Sequence, residues 1–149
     1  EYFPSKQVLF QEMLVQAMDG YTTFLNVPSS PNSTVRNRVE RIFRMHLTFL
    51  LENKEFLALT CSDMGTMDQE LVRWMHELRR QKMDRLIEIL NEGVQKGEIR
   101  PMDIELAANI IHGLLHIAVV PAFIEEKDFN PGDLAKDLSQ IVFEGIGLR

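Results

Sequence analysis

The stretch Ser33-Thr34-Val35-Arg36-Asn37-Arg38-Val39-Glu40-Arg41-Ile42-Phe43-Arg44-Met45-His46-Leu47-Thr48-Phe49-Leu50 repeats its apolar side chains every three or four residues. Wound as a helix, it gathers Val35, Val39, Ile42, Phe43, His46, Phe49 and Leu50 on one face. Arg36, Glu40, Arg41, Arg44 and Glu52 fall on the other. The pattern predicts an amphipathic helix that must bury one side, capped by Ser33 or Thr34 and reaching roughly Asn53. The same spacing recurs along nearly the whole chain, and no alternating strand pattern appears. The fold class is all-α.

Working outward, Asn26-Val27-Pro28-Ser29-Ser30-Pro31-Asn32-Ser33 reads as a loop, because two prolines and several turn formers interrupt the periodicity. A first helix precedes it, from about Ser5 to Leu25. On the other side a short helical piece, Lys54 to Thr60, leads to a break around Ser62-Asp63-Met64-Gly65. A long helix then runs from about Thr66 to Lys96, ended by Gly97 as a C-cap. Pro101-Met102-Asp103 restarts a very apolar helix reaching about Glu126, and Asn130-Pro131-Gly132-Asp133 opens the last, ending near Leu148. Five or six helices of this kind make a multi-helix orthogonal bundle.

With 149 residues, 45% of them hydrophobic, the chain suffices for one domain with a substantial core. The net charge of −6 argues against a nucleic-acid-binding surface spread over this segment. Cys61 is the single cysteine, so no intrachain disulfide framework is available and a reducing, cytoplasmic home is expected. No signal peptide is evident, and the longest apolar stretch carries His112, His116 and Pro121. It is shorter than the roughly 20 residues a membrane span needs, so a buried helix is expected there and no membrane partner.

The first residues, Glu1-Tyr2-Phe3-Pro4-Ser5-Lys6, set two aromatics against a proline and then a helix N-cap. The opening is not a methionine, and the aromatics have nothing upstream to pack on, so residues 1–4 read as the tail of a preceding domain and 5–149 as the domain itself. This junction closely resembles that of TetR-family transcription regulators, where a helix-turn-helix domain ends in an aromatic pair and a helix opening with Ser-Lys links it to an all-helical regulatory domain. A second anchor is Gly93-Val94-Gln95-Lys96-Gly97-Glu98-Ile99-Arg100-Pro101 followed by Ile104-Glu105-Leu106-Ala107-Ala108, which resembles the turn those proteins place before their dimerisation helices.

The resemblance implies a ligand-binding and dimerisation domain with residues 5–25 as its linking helix. It implies DNA as a partner only through the missing helix-turn-helix domain, with Tyr2 and Lys6 touching phosphates, which supplies affinity and register rather than sequence choice. It also implies that the last two long helices pair with their mates in a four-helix dimer interface. The residues point the same way. The helix from Asp103 is apolar nearly all round and must be covered on several sides. Ala107, Ala108, Gly113 and Ala118 allow close approach, and Phe143 lies off the stripe formed by Leu134, Leu138, Ile141 and Val142. The expected homodimer seam comprises Ala107, Ile111, Leu114, Ala118, Leu138, Val142 and Phe143; a monomer with a well-packed central helix is the alternative.

Several side chains are candidates for a pocket. His46 sits mid-way along an apolar face, as either a hydrogen-bonded core histidine or a pocket wall. Asn109, His112 and His116 form a polar strip with Val119 beside it, suited to hydrogen-bonding a ligand inside an apolar pocket or to a dimer seam. Two histidines four apart can grip a metal, but no third ligand is evident, so no metal and no cofactor are expected. Met75, Arg79, Lys82 and Leu86 align on the long helix, bringing two cations to its apolar side. Such side chains either snorkel to water or meet an acidic ligand head group. Trp74 flanks this stripe, and Phe43, Phe49 and eight methionines supply soft apolar walls. A small, largely apolar effector is the expected partner. No phosphate loop, nucleophile elbow or metalloprotease helix is present, so the chain is not read as an enzyme. Two readings stand beside the sensor: a helical protein–protein interaction module without a small-molecule site, and a helical enzyme or metal carrier using His112 and His116.

Overall fold

In the computed structural model of the chain, the residues described are 32–53, 69–118 and 128–145, with Val8 and Glu12; the side chains of residues 70–72, 74, 75, 78 and 116 are excepted. Four helices are described: α1 Val35–Glu52, α2 Gln69–Gln95, α3 Ile104–Ala118 and α4 Pro131–Glu144. Val8 and Glu12 are helical too, and no strand occurs among the described residues. The fold is all-α.

Local chemistry sets the helix ends. Thr34 caps α1: its backbone is extended and its Oγ1 accepts the Asn37 N–H at 3.1 Å. At the other end the Asn53 N–H and its side-chain Nδ2 both donate to the Phe49 carbonyl. Asp103 opens α3 by accepting the Leu106 N–H at 3.1 Å. Asn130 opens α4 by accepting the Asp133 N–H at 3.0 Å, with Pro131 in the first turn where its missing N–H is no loss. That helix stops at Glu144 rather than near Leu148, because Gly145 turns to φ 74° and its N–H closes on the Ile141 carbonyl. The short piece 54–60, the far end of the apolar helix after Ala118 and most of the linking helix lie outside the described residues.

The turn after α2 joins two elements. Gly97 takes φ 75°, its N–H donating to the Val94 carbonyl while the Glu98 N–H donates to Gly93, a Schellman closure. This folds Ile99 back over Gly93, where a Cβ would lie 2.7 Å from Ile99 Cδ1 and 3.2 Å from Val35 Cγ1. Glu98 then accepts the Val35 N–H at 2.6 Å, so the turn satisfies one of the orphan donors that open α1.

Packing is organised around α1, which makes its most extensive contact with α4 and further contacts with α2 and α3; α2 in turn packs on α3. The core takes Val35, Val39, Phe43 and Leu47 from α1, Leu86, Ile89 and Leu90 from α2, Ala108, Ile111 and Leu115 from α3, and Ala135 and Leu138 from α4. Arg38 is also buried, its guanidinium bound to Glu92 of α2, which is part-exposed. The charge pattern carries no sign of this, since Arg38 lies among other charged residues in the sequence.

Candidate functional site

Where α1, α2 and α3 converge, a small cavity of about 20 Å³ is lined by Ile42, Phe43, Lys82, Met83, Leu86, Ile111, His112 and Leu115. That volume is about what one water needs. The apolar stripes of three helices meet here, so most of the wall is aliphatic or aromatic. Two polar groups break it, Lys82 from α2 and His112 from α3. Just beyond, His46 of α1 is only 3% exposed, with its ring edge-on to His112 at a centroid separation of 6.3 Å and an interplanar angle of 76°. Burial pushes the Lys82 ammonium down to about 8, because leaving water disfavours its charged form.

A second feature lies outside this one. His76, Arg79, Arg80, Met83, Asp84, Ile87, Glu105 and Asn109 line an open groove of about 320 Å³ between α2 and α3. Met83 lines both spaces. Arg80 is paired with Glu77 at 2.6 Å and reaches Asp84 at 3.5 Å. The Glu77 carboxyl is held below its ordinary value, chiefly by the hydrogen bond from Arg80.

The expected pocket residues separate into three sets. Phe43 and His112 line the cavity, and His46 stands edge-on to His112 just beyond it. Phe49 is half-buried and packs on the core without lining that cavity. Arg79 and Asn109 are exposed and line the groove, so the two cations aligned in the sequence part company: Arg79 is exposed in the groove and Lys82, part-buried, lines the cavity. The side chains of Trp74, Met75 and His116, and all of Val119, Tyr2 and Lys6, lie outside the described residues. Among the described residues, no three His, Cys, Asp or Glu side chains gather as a metal site, and no helix is long and apolar enough to cross a membrane.

The seam candidates also divide. Ile111 and Leu138 belong to the protomer's own core, 4% and 5% exposed, and Ile111 is a cavity wall. Ala107, Ala118, Val142 and Phe143 are part-buried against that core, and Leu114 is half-buried. The apolar surface of α3 is carried instead by Met102 just before it and by Leu106, Ile110 and Ile117, with Ile141 exposed on α4. A helix apolar on all sides has no polar face to fix its rotation, so its sequence does not separate the inner stripe from the outer one.

Residues 32–120 match the family described as the tetracyclin repressor-like C-terminal domain. The chain belongs to the TetR family. As a TetR-family domain it is 20% identical over 146 residues to the fatty acid metabolism regulator protein of Bacillus subtilis (strain 168), which covers 97% of this chain and 75% of that protein. Its fold is shared with FadR of Bacillus subtilis, solved in complex with stearoyl-CoA, at TM-score 0.73 and 21% identity over 95% of this chain and 74% of that one. It is shared as well with the TetR-family regulator PfmR of Thermus thermophilus, at TM-score 0.79 and 20% identity over 99% of this chain and 80% of that one. These relatives are transcription regulators rather than enzymes.

Proposed function

We propose that this domain senses a small, largely apolar effector of the fatty-acyl class and transmits its presence to DNA as part of a dimeric regulator. The observation that carries the reading is the apolar cavity between α1, α2 and α3, in a family domain whose fold matches a regulator solved with stearoyl-CoA. A space this small admits an acyl chain only if the helices around it part. Met83, shared by cavity and groove, is an unbranched, adaptable side chain whose rearrangement would enlarge the space. Binding therefore has to shift helix positions, which is the property a sensor needs.

In this reading the shift biases the tilt of the linking helix, and with it the spacing of two reading heads, Tyr2 and Lys6 resting on DNA phosphates. The second subunit covers Leu106, Ile110 and Ile117, which otherwise leave a row of large apolar side chains in water.

The test is thermal unfolding of the chain with and without stearoyl-CoA, with free CoA as control. A ligand at a hundred times its Kd stabilises the folded state by about 2.7 kcal/mol, which for a chain of this size raises Tm by roughly 5–10 °C. That shift is expected with stearoyl-CoA and not with CoA. No shift with any long-chain acyl compound rejects the reading.

A further inference from the structure

An apolar effector explains the walls of the cavity but not Lys82. A hydrocarbon chain gains nothing from an ammonium group, and lining an apolar space with one removes solvation the free chain would otherwise keep. A lysine can escape this by snorkelling, and three residues earlier Arg79 has done so, lying exposed in the outer groove. Lys82 instead is part-buried and lines the inner cavity together with Met83, Leu86 and His112, and His46 stands edge-on to His112. Two nitrogen-bearing side chains from different helices thus line one small cavity whose other walls are aliphatic or aromatic. Both already interact with neighbouring groups, so a ligand there exchanges one set of contacts for another.

We infer that Lys82, with His112 beside it, receives the carboxylate of a long-chain carboxylic acid whose hydrocarbon tail lies along Phe43, Ile111 and Leu115. The inference rests on the acyl-effector reading and adds the chemistry of the head group. A carboxylate offers the ammonium a charge-assisted hydrogen bond in a space with little water, which a neutral alcohol or a thioester carbonyl cannot match.

Isothermal titration of the 149-residue chain with dodecanoate, dodecanol and dodecanoyl-CoA, each below its micelle-forming concentration, tests this directly. The unaltered chain is expected to bind dodecanoate about tenfold or more tightly than dodecanol. Lys82→Met, close in volume, loses about tenfold for dodecanoate while dodecanol stays within about twofold. Lys82→Arg keeps the charge and most of the preference. Circular dichroism shows whether each variant is folded, and the comparison in the unaltered chain decides even if Lys82→Met is not. Equal affinity for acid and alcohol, or an undiminished preference in a folded Lys82→Met, overturns the carboxylate anchor. Binding of dodecanoyl-CoA without preference for the acid overturns the anchor and leaves the acyl reading standing. Binding of none of the three removes both.

Discussion

At Lys82 the folded chain holds a part-buried charge on the wall of an apolar cavity. Its ammonium titrates near 8, against 10.5 for an ordinary lysine. Between those values the unfolded chain binds more protons than the folded one, so this residue's contribution to stability rises with pH from about 8 to 10.5 and is least favourable below 8. Lys82→Met should therefore stabilise the ligand-free chain at pH 7, by about 1–2 kcal/mol after discounting for partial solvation, and remove that part of the pH dependence. Urea unfolding of both forms at pH 7 and pH 10 measures it; a variant less stable at pH 7 would show that burial of the charge is already offset. A site that destabilises the free protein and improves with ligand is what a binding role predicts. Arg38 is a second cation held in the packed interior, bound to Glu92. Its hydrogen bond is the main reason the Glu92 carboxyl sits below its ordinary range. A depressed carboxylate stabilises above its unfolded pKa and is lost as pH falls through its folded value, so this contribution fades in acid. Glu92→Ala should cost about 1–2 kcal/mol at pH 7, less than a fully buried pair, because Glu92 remains 42% exposed. The same denaturation curves report it.

Among the helices and their connections, the turn from Gly93 to Ile99 shows most clearly what a local sequence can specify. Alanine at position 93 improves intrinsic helix propensity by up to about 1 kcal/mol. Its Cβ would nonetheless press on Ile99 at Cδ1 and Cγ1 and on Val35 at Cγ1; the Ile99 end methyl can turn about χ2, but the fully buried Val35 is stiff at χ1. We expect a net loss of about 1–2 kcal/mol for Gly93→Ala, seen as a lower Tm; a rise in Tm would mean the turn relaxes freely. The helix ends are legible for the same local reasons: Thr34, Asp103 and Asn130 are side-chain oxygens placed one residue before a periodic run, and Gly97 is a glycine just past one. The end of α4 is not, because the apolar pattern continues past Gly145 while the backbone there has already turned to positive φ. What each helix faces is harder to read. Arg79 and Lys82 lie about 60° apart around α2. Only the positions of α1 and α3 decide which one is covered, and no property of α2's own sequence carries that.

Across the molecule as a whole, the unpartnered apolar row on α3 is the main feature without an internal explanation. Leu106, Ile110 and Ile117 are each more than half exposed in the single chain. If a second copy covers them, Ile110→Glu should convert a species near twice 17.2 kDa into one near 17.2 kDa in sedimentation velocity. Since Ile110 points away from the core, helicity should survive the change. A dimer that persists unaltered would place the interface elsewhere. The class of fold and the family are open to sequence reasoning because helical periodicity and a short junction motif carry them. The candidate site is legible only in part: Phe43 and His112 line one cavity and His46 stands beside His112, but Lys82 separates from Arg79 only once three helices are assembled.

Uptake of a fatty-acyl compound is the property on which the sensor reading stands or falls, and native mass spectrometry of the purified chain measures it. The chain is weighed as prepared and after incubation with stearoyl-CoA or stearate, and whatever denaturation releases is identified. The expected result is a dimer carrying acyl adducts that are absent after incubation with CoA alone. A chain that stays bare under every one of these conditions is not a fatty-acyl sensor.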